Sequence, residues 1–117
     1  MQTDARREGR VIGIIKEAAS EFLLRESNQT SLLTVTSVAL ADRGKKATVY
    51  FTVFPESKQK GAVDFTKRRR SDFKEFLKNH TRLQHLPFVD FKIDQGEKNR
   101  QKIEEIEQTL KNEQEEK

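Results

Sequence analysis

Ala62-Val63-Asp64-Phe65-Thr66-Lys67-Arg68-Arg69-Arg70-Ser71-Asp72-Phe73-Lys74-Glu75-Phe76-Leu77 reads as two short helices meeting at a break. Ala62 and Phe65 lie on one helical face that runs into the basic block, and Phe73, Phe76, Leu77 and His80 form a second inner face. Asp72 with Glu75 three residues on has capping-box spacing, so the second helix is predicted to start afresh there. Ser57, just after Pro55, is placed to cap the first. Four consecutive cations, Lys67, Arg68, Arg69 and Arg70, run up to the second helix start. Unpaired amides and the helix dipole favour phosphate there, and the side chains add charge. The plain alternative is a solvated helix face. Lys67, Arg70, Lys74 and Lys78 recur at steps of three and four. They form one stripe if the break is shallow, an arrangement suited to phosphate contact rather than base reading.

Upstream, Val11, Ile14, Ile15, Ala18 and Phe22 mark one helical face over about Arg7 to Arg25, widened by Ile12, Ala19 and Leu23. Ser27-Asn28-Gln29-Thr30 has the turn chemistry to end it. Leu33 and Val35, then Val38 and Leu40, are apolar with an out-of-step shift near Ser37, which predicts a bulge. Ala47, Val49, Phe51 and Val53 alternate with Lys46, Thr48, Tyr50 and Thr52. Asp42-Arg43-Gly44-Lys45 turns between these strands, with Gly44 taking positive φ. Pro55 stops the second strand. Leu83, Leu86 and Pro87 lead into a third, Phe88 to Ile93, with Val89, Phe91 and Ile93 on one side. Ile103, Ile106 and Leu110 mark a last helix with a narrow apolar stripe, expected to pack weakly on the body, and 114–117 is expected to fray. The order is α-β-β-α-α-β with a helical tail: an α+β fold with a three-stranded sheet and a helix-kink-helix. Residues 1–96 are expected to form the domain and 97–117 a partly disordered, charged tail.

The chain has 117 residues, 36% charged and 33% hydrophobic, with a formal net charge of +4. Residues 97–117 hold five of its 23 cations and seven of its 19 anions, leaving 18 and 12, a net +6, on residues 1–96. A folded part this basic points to an acidic partner, nucleic acid first. Glu56 to His85 alone carries nine cations against four anions. There is no cysteine, so disulfides and thiolate metal sites are excluded. No apolar run approaches membrane-spanning length, and Met1 to Arg10 lacks the hydrophobic core of a secretory signal. A cytoplasmic protein with no membrane partner is expected.

Chemistry finds little support. His80 and His85 are five apart and lack zinc-pair spacing, Gly44 and Gly61 stand alone, and Ser71 has no local base. Asp90 and Asp94 flank a strand, but Asp90 alternates outward as surface charge. Of eight Phe, six sit at core periodicity: Phe22, Phe51, Phe65, Phe73, Phe76 and Phe91. Tyr50 and Phe88 fall on polar strand faces among Lys46, Thr48 and Lys92, where they either pack across strands or stack on unpaired bases.

The element order with a helix-kink-helix resembles the type II KH fold, and the residues resemble the ribosome-binding factor A family. Arg10-Val11 is similar to that family's helix start, and Lys46-Ala47-Thr48-Val49-Tyr50-Phe51-Thr52-Val53 to its second strand. Leu83, Pro87, Val89, Phe91, Asp94 and Glu97 match the family's spacing of leucine, proline, leucine, phenylalanine, aspartate and glutamate. The likeness covers about Arg7 to Leu110. Three features depart from it. Ser27 to Ser31 replaces Asp-Pro-Arg, Gln84 replaces an arginine, and the kink reads Arg70-Ser71-Asp72 instead of Ala-x-Gly. Asp72 sets a negative charge where phosphate docks in a KH-like site, which shifts the expected contact toward Arg68, Arg69 and Arg70.

The resemblance implies a factor, without enzymatic activity or cofactor, that binds the small ribosomal subunit as a monomer and assists late maturation of its ribosomal RNA. The residues expected to touch RNA are Arg6, Arg7, Arg10, Lys45, Lys46, Lys67, Arg68, Arg69, Arg70, Ser71, Lys74, Lys78 and Arg82. The rival reading is a protein-interaction module that docks through the C-terminal helix. A small acid–base enzyme is the remaining class, and no active site is assigned.

Overall fold

A computed structural model describes the backbone of residues 2–115 and the side chains of residues 6–113. The elements run α1 (Gln2–Glu26), β1 (Leu32–Ala41), β2 (Lys46–Phe54), a 3-10 turn (Glu56–Lys58), α2 (Gln59–Arg68), α3 (Arg70–His80), β3 (Phe88–Ile93) and α4 (Gln95–Glu115). β1 pairs antiparallel with β2, and β3 pairs parallel with β2, in the order β1-β2-β3. A parallel neighbour needs a long crossover. The crossover from β2 to β3 is the α2–α3 pair, laid on the sheet face that α1 also covers.

The apolar spacings explain which faces are buried. Ile15, Ala18, Ala19, Phe22 and Leu23 of α1 meet Val49 and Phe51 of β2, Val89 and Phe91 of β3, and Phe73, Phe76 and Leu77 of α3 in one core. Aromatic rings hold the layers together: Phe22 lies 5.2 Å from Phe73, Phe73 5.4 Å from Phe91, and Phe91 6.4 Å edge-on to Phe51. Phe65, expected inside, is only half-buried and carries the Arg69 guanidinium 5.6 Å above its ring. His80 is exposed at the end of α3, with its ring stacked 4.0 Å from Phe76 and Nδ1 3.1 Å from the Phe76 carbonyl.

The bulge falls at Thr36: Val35 pairs with Phe51 and Ser37 with Tyr50, leaving Thr36 unmatched. Its hydroxyl donates to Asp94 Oδ2 at 2.5 Å and contacts the Tyr50 carbonyl at 3.3 Å. Asp94 Oδ1 accepts the Glu97 amide at 2.9 Å, which caps α4. These bonds favour the carboxylate: the Glu97 amide first, then the Thr36 hydroxyl, and the Gly96 amide hold its pKa below the ordinary aspartate value. The β1–β2 turn departs from expectation: Asp42 and Arg43 have positive φ as well as Gly44, at 53°, 56° and 83°.

Two expected caps are corrected. Ser57 lies inside the 3-10 turn, and α2 starts at Gln59 with no side-chain cap. Asp72 does not accept helix amides either. α3 begins two residues earlier, at Arg70, and the Asp72 carboxylate takes the Arg69 guanidinium at 2.9 Å. The break between α2 and α3 is one residue, Arg69 (φ −100°, ψ 8°), whose amide is shared between the Phe65 and Thr66 carbonyls.

α1 begins at Gln2, five residues before the expected start. α4 is a continuous helix, and its stripe does not pack on the body: Ile103, Ile106 and Leu110 are 57%, 60% and 54% exposed. Its polar side is turned toward the body instead, where Gln101, Lys102 and Glu105 stay exposed and line an open groove with Phe54 and Thr52. Glu56 accepts Lys98 at 2.7 Å, with Lys102 at 3.7 Å, and that lysine pair lowers its pKa. The projecting α4 is one reason the radius of gyration is 17.0 Å, against the roughly 13 Å of a compact chain this long. Of the fraying expected over 114–117, positions 116 and 117 lie outside the described residues.

Candidate nucleic-acid interface

α1 and α3 lie antiparallel. Arg69, at the head of α3, reaches Glu26 at the end of α1 (3.8 Å), and Phe22 meets Phe73 and Phe76. Past the end of α3, Arg82 shares a groove with Ile14 and Glu17 of α1. Arg10 is one turn, about 6 Å, beyond Ile14, and Arg6 one turn further. The cations fall along this pair: the kink at one end, Lys74 and Lys78 on the exposed flank of α3, then Arg82 and the α1 start at the other. Along the helix axis, Arg6 to Arg10 sits about 24–30 Å from Glu26, so the two basic ends are separate patches.

The four cations of the block do different things. Arg69 is half-buried, ion-paired with Asp72 at 2.9 Å and near Glu26 at 3.8 Å. Arg70 turns the other way. Its Nε donates to the Lys67 carbonyl at 3.3 Å, NH1 lies 3.6 Å from Asp90, and its guanidinium sits 5.8 Å over Phe88. Lys67 and Arg68 are exposed, as are Ser71, Lys74, Lys78 and Arg82. Among the described residues no ion pair reaches Lys67, Arg68, Lys74, Lys78 or Arg82. Half of the arginine-rich block is thus neutralised by carboxylates, and the available charge lies on either side of the kink.

Lys45 and Lys46 join this region from another element. The Phe88 amide donates to the Lys45 carbonyl at 2.8 Å, and Lys46 is the cross-strand partner of Phe88. The β1–β2 turn, the start of β3 and the head of α3 therefore meet at one end of the sheet. Sequence reasoning missed the Arg70–Phe88–Asp90 contact, which depends on how the crossover lays α3 beside β3. The Arg69–Asp72 pair did leave a signal, opposite charges three residues apart. Among the described residues no cluster of three or more His, Asp or Glu side chains could hold a metal, and no helix is long and apolar enough to cross a membrane.

Comparison with known proteins gives one family. Its model, Ribosome-binding factor A, matches residues 7–107. Ribosome-binding factor A of Desulfitobacterium hafniense is 32% identical over 91 residues, 75% of this chain and 73% of that protein. The crystal structure of ribosome-binding factor A from Thermus thermophilus superposes with a TM-score of 0.65 at 26% identity, covering 73% of this chain and 92% of that one. A homology model of the Thermus thermophilus factor, fitted into a cryo-electron-microscopy map of its 30S complex, gives 0.60 at 28% identity, covering 68% and 86%. The family match spans the KH-like body, the kink and the first turns of α4, so this chain belongs to the ribosome-binding factor A family.

Proposed function

We propose that the chain binds the immature small ribosomal subunit in the cytoplasm and assists late maturation of its ribosomal RNA, acting by binding rather than chemistry. The observation that carries this reading is family membership, joined to the relative fitted into a 30S complex. The geometry adds a mode of contact. Lys67, Arg68, Lys74, Lys78 and Arg82 are exposed and free of ion pairs among the described residues, on the side of the α2–α3 pair and toward the α1 start. Cations on helix flanks hold phosphates and carry no base code. The factor shifts its target between conformations only as far as its affinities for the two differ.

The test is co-sedimentation with small subunits across a salt series. Engaging about four to six phosphates gives a log–log slope of roughly −3 to −5. A slope near zero overturns the electrostatic reading. It would favour the second one, docking of a protein on α4, which the outward stripe of Ile103, Ile106 and Leu110 supports. Replacing those three with serine separates the two, since only protein docking loses affinity by that change.

A further inference from the structure

Phe88 is the exposed apolar side chain that the surrounding charge singles out. It is 59% exposed at the head of an edge strand. The other exposed large apolar residues lie on α4 or near the far end of the sheet, where Leu24, Leu32 and Phe54 line one groove. Phe54 is eight residues along β2 from Lys46, about 26 Å away. Around Phe88 the neighbours are cationic. Arg70 lies over the ring at 5.8 Å, Lys46 is the residue opposite, Lys45 precedes it, and Lys92 follows on the same strand face. The nearby carboxylate, Asp90, faces the Arg70 guanidinium at 3.6 Å and accepts its neighbour's amide at 2.9 Å. Arg70 is thereby held across the ring by Asp90 on one side and the Lys67 carbonyl on the other.

An aromatic ring backed by a guanidinium, with Lys45 and Lys46 on the adjoining strand end, fits a flat, electron-rich group joined to phosphates. Every nucleobase in an unpaired strand is such a group, whereas a duplex keeps its base faces stacked inside. A protein partner that covered this patch would have to neutralise Lys45, Lys46 and Lys92 with carboxylates of its own. We infer that Phe88 is a stacking platform for an unpaired base of single-stranded RNA, with Arg70 backing the ring and the exposed Lys45 and Lys46 placed to hold the adjoining phosphates. The inference rests on the RNA-binding reading above and deepens it, because it adds a base contact to a surface otherwise suited to phosphates.

The experiment uses the full chain and three RNA probes of equal length: a single-stranded oligoadenylate, the same strand with abasic sites, and a duplex. The wild type is expected to prefer the oligoadenylate to the abasic strand. Phe88→Thr should lower oligoadenylate affinity by about 5- to 150-fold, the range for one stacked base. It should leave abasic and duplex binding unchanged, and Phe88→Trp should restore the preference. Equal affinity of the wild type for base-bearing and abasic strands overturns the inference without any variant. So does a Phe88→Thr loss that is the same on duplex. A loss confined to whole subunits, with the oligoadenylate unaffected, assigns Phe88 to a protein neighbour and also overturns it. If the wild type fails to sediment with small subunits at any salt concentration, the function proposed above fails instead, and the oligonucleotide result still stands.

Discussion

Asp94→Ala is expected to lower stability by about 2–3 kcal/mol, although Asp94 lies at the edge of the fold. The carboxylate has two jobs on two oxygens: Oδ1 takes the Glu97 amide at 2.9 Å and Oδ2 takes the Thr36 hydroxyl at 2.5 Å. Losing an N-cap costs about 1 kcal/mol, and a hydrogen bond to a half-exposed carboxylate contributes about 1–2 kcal/mol. For a domain of this length, the sum corresponds to a melting temperature roughly 10 °C lower. Thr36→Val removes the hydroxyl while keeping the shape, and should cost about 1–2 kcal/mol. Because both substitutions break the same bond, the double variant should lose about 1 kcal/mol less than the two single losses added together. Urea denaturation of the four proteins supplies the cycle. The pH dependence gives a second reading. The folded-state pKa of Asp94 is depressed, so its contribution is fully present above the ordinary aspartate value, about 3.9, and is lost as pH falls through the folded value. The gap between wild type and Asp94→Ala should therefore be constant from pH 7 to about 5 and narrow below about 4. Losses that add within about 0.3 kcal/mol, or a gap that does not change with acid, would refute the coupling of the bulge to α4.

Phe51→Ala should cost about 3–5 kcal/mol in the same assay, since the ring is fully buried against Phe91. Asp72→Asn releases Arg69 from its exposed ion pair, so small-subunit affinity should rise about two- to fivefold, equivalent to about 0.5–1 kcal/mol, with little change in melting temperature. An unchanged affinity would place Arg69 away from the RNA. Deleting residues 106–117 should move the melting temperature by less than about 2 °C, because Ile106 and Leu110 are 60% and 54% exposed; a larger fall would mean the stripe packs on the body in solution.

The body was legible in the sequence because its signals were periodic. Alternation through Ala47, Val49, Phe51 and Val53 gave β2, and the shift at Ser37 located the bulge to one residue. The helix break was legible, but its start was misplaced. Asp72 and Glu75 imitate a capping box, whereas Arg69 offers the Asp72 carboxylate a stronger partner than a helix amide. α4 shows the limit of periodicity. Its stripe was found correctly, but the polar face that turns toward the body is chosen by Lys98 and Lys102 meeting Glu56, a pairing across the β2–α2 junction that no local pattern encodes. At the interface, the cations were legible as charge. Which of them are available was not, because Glu26 and Asp90 come from elements distant in sequence.

The bulge also decides where this chain tolerates a change in length. Leu33, Val35, Val38 and Leu40 all belong to the core side, and only the unmatched residue between Val35 and Ser37 keeps the two halves of β1 in phase with β2. Omit Thr36 and Val35 is followed by Ser37, which restores a plain alternation with every apolar side chain still inward. Omit Ala39 instead and Val38 or Leu40 must turn to water. Single-residue gaps in this strand are therefore admissible at 36–37 and damaging elsewhere. A chain that lacks Thr36 keeps its core and gives up the hydroxyl that ties Asp94 to the sheet, so variation in length at β1 shows itself in how firmly the C-terminal helix is held.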